Sequence, residues 1–212
     1  MIDLYTWSTP NGRKLSILLE ELGVEYRVHP VDIDNREQFA PDFGKISPNH
    51  KIPAIVDRET GIRMMESGAI MLYLADKYGR FGAEGAAQWE LVEWLMWQMG
   101  GLGPILGQVH HFVKNNKGVS PYSENRYQTE ARRLYAVLNM RLEHRDYVVG
   151  DGRGAYSIVD MAIFPWIARH DWQEIDLNET PALRDWYMRL VGRPAVQTGY
   201  HIPQRTTEIP LP

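Results

Sequence analysis

Near its start the chain places Ser8, Thr9 and Asn11 beside Trp7, in the turn Thr6-Trp-Ser-Thr-Pro-Asn-Gly12. Two hydroxyls and an amide at the mouth of a helix can donate to an anion, as can the unpaired N–H groups of the helix end itself. The same side chains serve equally well as plain helix caps, so both readings stay open. No His–Asp pair lies close enough in sequence to activate a serine in the manner of a hydrolase. The chain contains 0 cysteines. This excludes disulfides, thiolate zinc sites, iron–sulfur clusters and a protein thiol nucleophile. Any sulfur chemistry must use a sulfur carried in by a ligand.

Two further positions point to a peptide-like ligand. Pro53 follows Ile52 at the opening of an apolar strand, where proline removes a ladder donor. A cis Ile52–Pro53 bond would turn the Ile52 backbone outward, whereas most X–Pro bonds are trans. Glu66-Ser67 sets a carboxylate and a hydroxyl at a helix start, suited to an ammonium and a carboxylate respectively; the plain reading is an N-cap Ser67 beside a solvated Glu66. Other signals are weaker. Gly150-Asp-Gly-Arg-Gly-Ala155 matches a dinucleotide fingerprint only formally, because helical patterns surround it. The adjacent His110 and His111 point about 100° apart on a helix and cannot chelate one metal together, so one is expected to pack and one to be solvated. The aromatic stretch Trp89–Met99 reads as core, with Glu90 and Glu93 on a wet face.

The elements that must position these residues fall into two unlike halves. Ile2–Tyr5 reads as a strand, Leu15, Leu18, Leu19 and Leu22 as one face of a helix ended by Gly23, and Tyr26–Val31 as a second strand. That order implies a right-handed crossover and a parallel pair. Ile52–Val56 and Ile62–Met65 flank a hairpin signal, and a helix follows to Tyr78. Three glycines between Gly79 and Gly85 suggest a linker. Beyond it the pattern is nearly all helical: a long helix after Tyr122, a buried apolar helix opened by the Ser157–Asp160 capping box, and a last helix opened by Pro181. The expected fold is α/β plus all-α, a thioredoxin-like N-terminal domain over 1–79, a C-terminal helical bundle over 86–200, and a tail over 201–212.

Lys+Arg number 23 against Asp+Glu 27, a net charge of −4, too mild to draw the chain to nucleic acid or an anionic membrane. The apolar runs Ala69–Ala75 and Met161–Ala168 fall well short of the roughly 20 residues that span a bilayer. The first residues lack the basic start of a secretory signal. A cytoplasmic protein with no membrane or nucleic-acid partner and no metal is the expectation.

Taken together these features resemble a cytosolic glutathione transferase. Ser8-Thr-Pro-Asn-Gly12, Ile46-Ser-Pro-Asn49 with Lys51-Ile-Pro-Ala-Ile-Val56, Glu66-Ser-Gly-Ala-Ile70 and Trp97-Gln-Met-Gly-Gly-Leu-Gly-Pro104 are similar to the bacterial Nu class, itself related to a yeast prion-forming nitrogen regulator. The resemblance spans roughly residues 1–200. It implies a homodimer that binds glutathione on its N-terminal half, with Thr9 and Asn11 beside the sulfur and the Ile52 backbone, next to Pro53, pairing with the cysteinyl unit. Glu66 and Ser67 would hold the γ-glutamyl end, Gln38 the glycine end, and Arg126 would reach glutathione in cis or across the dimer. Trp7 stands where the class fixes no residue and is taken as a wall for the second substrate.

The activity implied is glutathione-dependent disulfide reduction with some peroxide reduction. Conjugation of electrophiles, including a Ser8-based variant, and a non-catalytic regulator are the alternatives. A free thiol has a pKa of about 8.5, and lowering it by ~2 units requires about 2.7 kcal/mol. Two hydrogen bonds to a charged group, at ~1.5–3 kcal/mol each, are sufficient.

Overall fold

Alternation of apolar and polar residues builds a four-stranded sheet in the computed structural model, which describes residues 1–212. Strand β1 (Ile2–Thr6) leads through α1 (Pro10–Leu22) to β2 (Tyr26–Pro30), and the two strands run parallel. A 3₁₀ turn (Glu37–Phe39) and the short α2 (Pro41–Gly44) precede β3 (Ala54–Asp57), β4 (Arg63–Met65) and α3 (Ser67–Tyr78). The order across the sheet is β2-β1-β3-β4, with β3 antiparallel to both neighbours. This is the thioredoxin-like arrangement expected.

Contacts divide the chain into two compact units, Met1–Gly82 with Gly192–Ile209, and Ala83–Val191 with Pro210–Pro212. The helical half expected to run to residue 200 therefore gives up its end. Helix α9 (Pro194–Tyr200), which no sequence pattern announced, lies against α1. Gly199 makes that approach possible, since a Cβ there would stand 2.6 Å from the Ile17 Cα. Ser16 Oγ donates to the Gly199 carbonyl at 2.6 Å, and Arg193 forks onto Glu21 at 2.6 and 2.9 Å.

The second unit holds α4 (Ala86–Trp97), a π-helical turn (Gln98–Leu102), α5 (Gly103–Val109), a second π-helical stretch (His110–Asn115), α6 (Pro121–Leu142), α7 (Ile158–Ile167) and α8 (Pro181–Val191). Gly100 and Gly101 do not break the helical path but lie in a widened turn of it, with one extra residue accommodated in the ring. Every residue of α7 is buried. Its capping box is formed: Ser157 Oγ accepts from Val159 N at 3.2 Å, and Asp160 accepts from Ser157 N at 3.0 Å. Asp160 also takes Val148 N and Trp186 Nε1, at 3.1 and 2.9 Å. Burial pushes this carboxyl up to about 6, against hydrogen bonds that favour its anion.

Two sequence expectations are corrected in this unit. Trp89 and Met96 are 72% and 49% exposed, and the core face of α4 is Leu91 and Leu95. Glu90 is not on a wet face, for it accepts from Arg141 and from Gly150 N. The segment 150–155 is a loop closed by a Val149–Ala155 bridge and held by that Glu90 bond, with no β-α-β unit around it. His110 packs on Trp166 and reaches Gln173 Nε2 at 3.0 Å, while His111 is exposed. Burial, with the Arg169 charge adding to it, pushes His110 down to about 4, so its ring is neutral. No helix is long and apolar enough to cross a membrane.

Candidate functional site

Strand register decides which residues share one end of the sheet. Tyr5 pairs with Ala54, and Ala54 with Met65. The residues just beyond this row are Trp7–Asn11 after β1, Ile52-Pro53 before β3, and Glu66-Ser67 after β4. Three segments far apart in sequence therefore converge beside the N-termini of α1 and α3. This is the end at which α/β sheets collect ligands.

In the first segment Thr9 is the N-cap of α1, extended at φ −114 and ψ 163, and its Oγ1 accepts from Gly12 N at 3.2 Å. Capping and ligand binding are compatible, because an oxygen that accepts the helix N–H keeps its own proton to give away. Asn11 is half-buried and its amide makes no hydrogen bond within the chain. Ser8 is differently placed: its Oγ donates to the Gln204 carbonyl at 3.0 Å. Its single proton is committed to the C-terminal segment. Gly12 permits the turn to be this tight, since a Cβ there would stand 2.1 Å from the Trp7 carbonyl oxygen. Trp7 is half-buried, and its carbonyl accepts from Thr9 N at 2.7 Å.

The Ile52–Pro53 bond is cis, against the trans form that most prolines take. Ile52 lies ahead of the β3 ladder and makes no backbone hydrogen bond. Its side chain packs on Val31, Phe43 and Ala54, which leaves the main chain as the part available to an extended ligand. Gln38 sits in the turn before α2, where its carbonyl accepts from His50 Nδ1 at 2.9 Å and its Oε1 is buried without a partner.

The third segment corrects the cap assignment. Glu66, not Ser67, is the N-cap residue of α3, and no side chain caps that helix. Glu66 stands at φ 70 and ψ 106, a conformation non-glycine residues rarely adopt. Strain of this kind clusters at ligand sites, where the surroundings over-determine it. Glu66 is exposed, whereas Ser67 is buried and has its Oγ 3.4 Å from Lys14 Nζ.

Arg126 belongs to the second unit. It lies on α6, exposed and without a hydrogen bond in the chain, on a cavity of about 480 Å³ lined by Ile105, Tyr122, Asn125, Tyr127, Thr129 and Glu130. Nowhere do three or more His, Cys, Asp or Glu side chains gather as a metal site would require. Sequence reasoning missed Gln204, His50 and Lys14. Only the last left a trace, a basic residue interrupting the apolar face of α1.

Comparison with known proteins places this arrangement. Residues 1–76 match the glutathione S-transferase N-terminal domain and residues 110–194 the C-terminal domain of the same family. The disulfide-bond oxidoreductase YfcG of Escherichia coli is 47% identical over 201 residues, 92% of each chain. A glutathione transferase family member from Pseudomonas fluorescens, solved with two glutathione molecules bound, superposes with a TM-score of 0.89 at 41% identity, covering 95% of this chain and 93% of that one. One from Pseudomonas putida, solved with one glutathione disulfide per subunit, gives 0.87 at 38% identity, covering 95% and 91%. With both of its halves matched by models of one family, the chain belongs to the glutathione S-transferase family.

Proposed function

We propose that this protein is a glutathione-dependent disulfide-bond reductase with some peroxidase activity, its nucleophile a glutathione thiolate held by Thr9 and Asn11. The carrying observation is the first turn of α1. There the Thr9 hydroxyl accepts Gly12 N–H and retains its proton, and the Asn11 amide is unpartnered, in a chain with 0 cysteines. Similarity to a disulfide-bond oxidoreductase at 47% identity supports the same reading.

In this reading the γ-glutamyl carboxylate lies on the N–H groups and hydroxyl of Ser67, its ammonium on Glu66, the cysteinyl unit on the Ile52 backbone beside Pro53, and the glycine end on Gln38. Arg126 would supply a cation to glutathione, in cis or across the dimer. The first thiolate attacks a disulfide sulfur, releasing one thiolate and forming a mixed disulfide. A second glutathione attacks the glutathione sulfur of that intermediate and leaves as glutathione disulfide, so two thiols are oxidised for each disulfide reduced. With a peroxide, the thiolate attacks the distal oxygen, an alcohol leaves, and the second glutathione displaces water from the sulfenic acid. A homodimer in the cytoplasm, with glutathione bound on the N-terminal unit, belongs to the same proposal.

The test incubates the pure protein with glutathione and a small mixed disulfide, and separately with a chlorodinitrobenzene-type electrophile. Turnover confined to the disulfide is expected. Turnover confined to the electrophile would make it a conjugating transferase, and glutathione binding without either a regulator. Thr9→Ala and Asn11→Ala should each lower disulfide turnover by about ten- to a hundredfold, the worth of one hydrogen bond to an anion. The rise of kcat/KM with pH should move in both toward the free thiol value of about 8.5. Wild-type rates in both variants would remove Thr9 and Asn11 from the site.

A further inference from the structure

Helix α1 buries two basic side chains among its leucines, and they face different tasks. Arg13 turns toward the C-terminal segment: its Nε donates to the Tyr200 carbonyl at 2.9 Å, its Nη2 donates to Thr206 Oγ1 at 3.1 Å, and its guanidinium lies 3.7 Å over the Tyr200 ring. Lys14 turns the other way. It is 1% exposed, with Nζ 3.4 Å from Ser67 Oγ at the start of α3. An ammonium held out of water is costly, and a leucine would continue the apolar face of α1 without that penalty. A residue kept at such a cost, directly beneath the proposed γ-glutamyl subsite, calls for a role there.

Charged groups on the neighbouring elements bear on it unequally. Glu66, from the start of α3, is the carboxylate whose field acts on Lys14. Asp57 and Glu59 belong to the other end of the sheet, where Asp57 pairs with Ile2 in register and accepts from Lys77 and Tyr73, and Glu59 also accepts from Lys77. On the α9 side, the nearby cation Arg13 acts on His201, which Glu208 and Arg205 also face. Burial pushes Lys14 down to about 7, with Glu66 pulling it back up. Without a ligand the amine is thus poised between its neutral and charged forms at neutral pH.

We infer that Lys14 is a positioning residue for the γ-glutamyl carboxylate, taking up a proton from solvent when glutathione binds. The inference rests on the reading of Glu66 and Ser67 given above. The ligand brings its ammonium to Glu66 and its carboxylate to Ser67, and so sets a second anion above Lys14 Nζ. An added negative charge at that range favours the ammonium. The balance is one proton moved from buffer to Nζ, with no bond formed or broken in the ligand. Affinity for glutathione then falls as pH rises above 7, for a reason separate from thiol ionisation.

Calorimetric titration with S-methylglutathione tests this, because that ligand has no ionisable sulfur. Binding to the wild-type protein at pH 7.5, measured in phosphate and in Tris, should give heats that differ by the uptake of part of a proton. The affinity should weaken between pH 7 and 9. In Lys14→Met the uptake should vanish apart from any share of the ligand's own ammonium, and affinity at pH 6.5 should drop about tenfold. The turnover defect should fall mainly on the KM for glutathione. The melting temperature of the unliganded variant should stay level or rise, since a buried charge is gone; a merely structural lysine would lower it. Lys14→Arg should recover affinity without the uptake. Equal heats in the two buffers for wild type would overturn the inference even if every variant failed to fold, as would unchanged uptake in Lys14→Met. Absence of binding at every pH would instead overturn the glutathione site itself.

Discussion

Three polar residues within four positions of the first turn take three different roles, and the difference lies in where each proton goes. Thr9 accepts a backbone N–H and keeps its hydroxyl proton, Asn11 keeps both amide donors, and Ser8 gives its proton to Gln204. Ser8→Ala is therefore expected to leave disulfide turnover within about twofold of wild type, the span of ±0.5 kcal/mol usual for an exposed substitution. Steady-state rates at saturating glutathione check it, and a loss as large as that of Thr9→Ala would return Ser8 to the chemistry. Gly12 is set by space. Gly12→Ala drives a methyl into the Trp7 carbonyl and Thr6 Oγ1, and should destabilise the fold by about 2 kcal/mol in denaturant titration. These residue types were legible in sequence. Their division of labour was not, because Gln204 lies 196 residues from Ser8.

At the scale of elements, local signals predicted helix starts better than helix paths. The Ser157–Asp160 box and the Pro181 start were readable because a cap and its N–H groups lie within one turn of sequence. Asp160 also shows what a box can carry beyond its own helix. It accepts from Val148 N and Trp186 Nε1 as well, so Asp160→Ala leaves three buried donors without an acceptor. A loss of about 3 kcal/mol or more is expected, against about 1 for a simple cap, measured by chemical denaturation of the full chain. Cap strength alone would give the smaller value. The glycines at 100 and 101 show the limit of a local signal. Glycine signals freedom to break a helix, yet here the chain widens to a π turn and continues. Glu90 was misplaced because its partners, Arg141 and Gly150, lie 51 and 60 residues away.

At the scale of the whole molecule, residues 192–209 belong to the first unit. Arg13 donates to Tyr200 and Thr206, Ser8 donates to Gln204, and Ile209 is 7% exposed. Removing residues 203–212 is expected to lower stability by about 2 kcal/mol, from the burial of Ile209 and the hydrogen bonds lost with it. Thermal melts of the shortened and full chains measure the difference, and an unchanged melting temperature would show the segment to be dispensable. Residues 201–212 looked like a tail in sequence because they show neither helical nor strand periodicity. Gln204 and Thr206 are held instead by Ser8 and Arg13, and the Pro210 carbonyl by the Tyr187 hydroxyl.

The sequence by itself determined the family, the two-part architecture, the absence of a protein thiol and the residue types of the first turn, because these are written in spacing, caps and composition. Tertiary structure alone decided that Ser67 stands 3.4 Å from a buried Lys14, that Glu66 is held at a positive φ, and that α9 closes on α1. The physical reason is range. Periodicity and capping act over a few residues, whereas a buried charge finds its partner 53 residues away only once the sheet has brought both helix starts to one end.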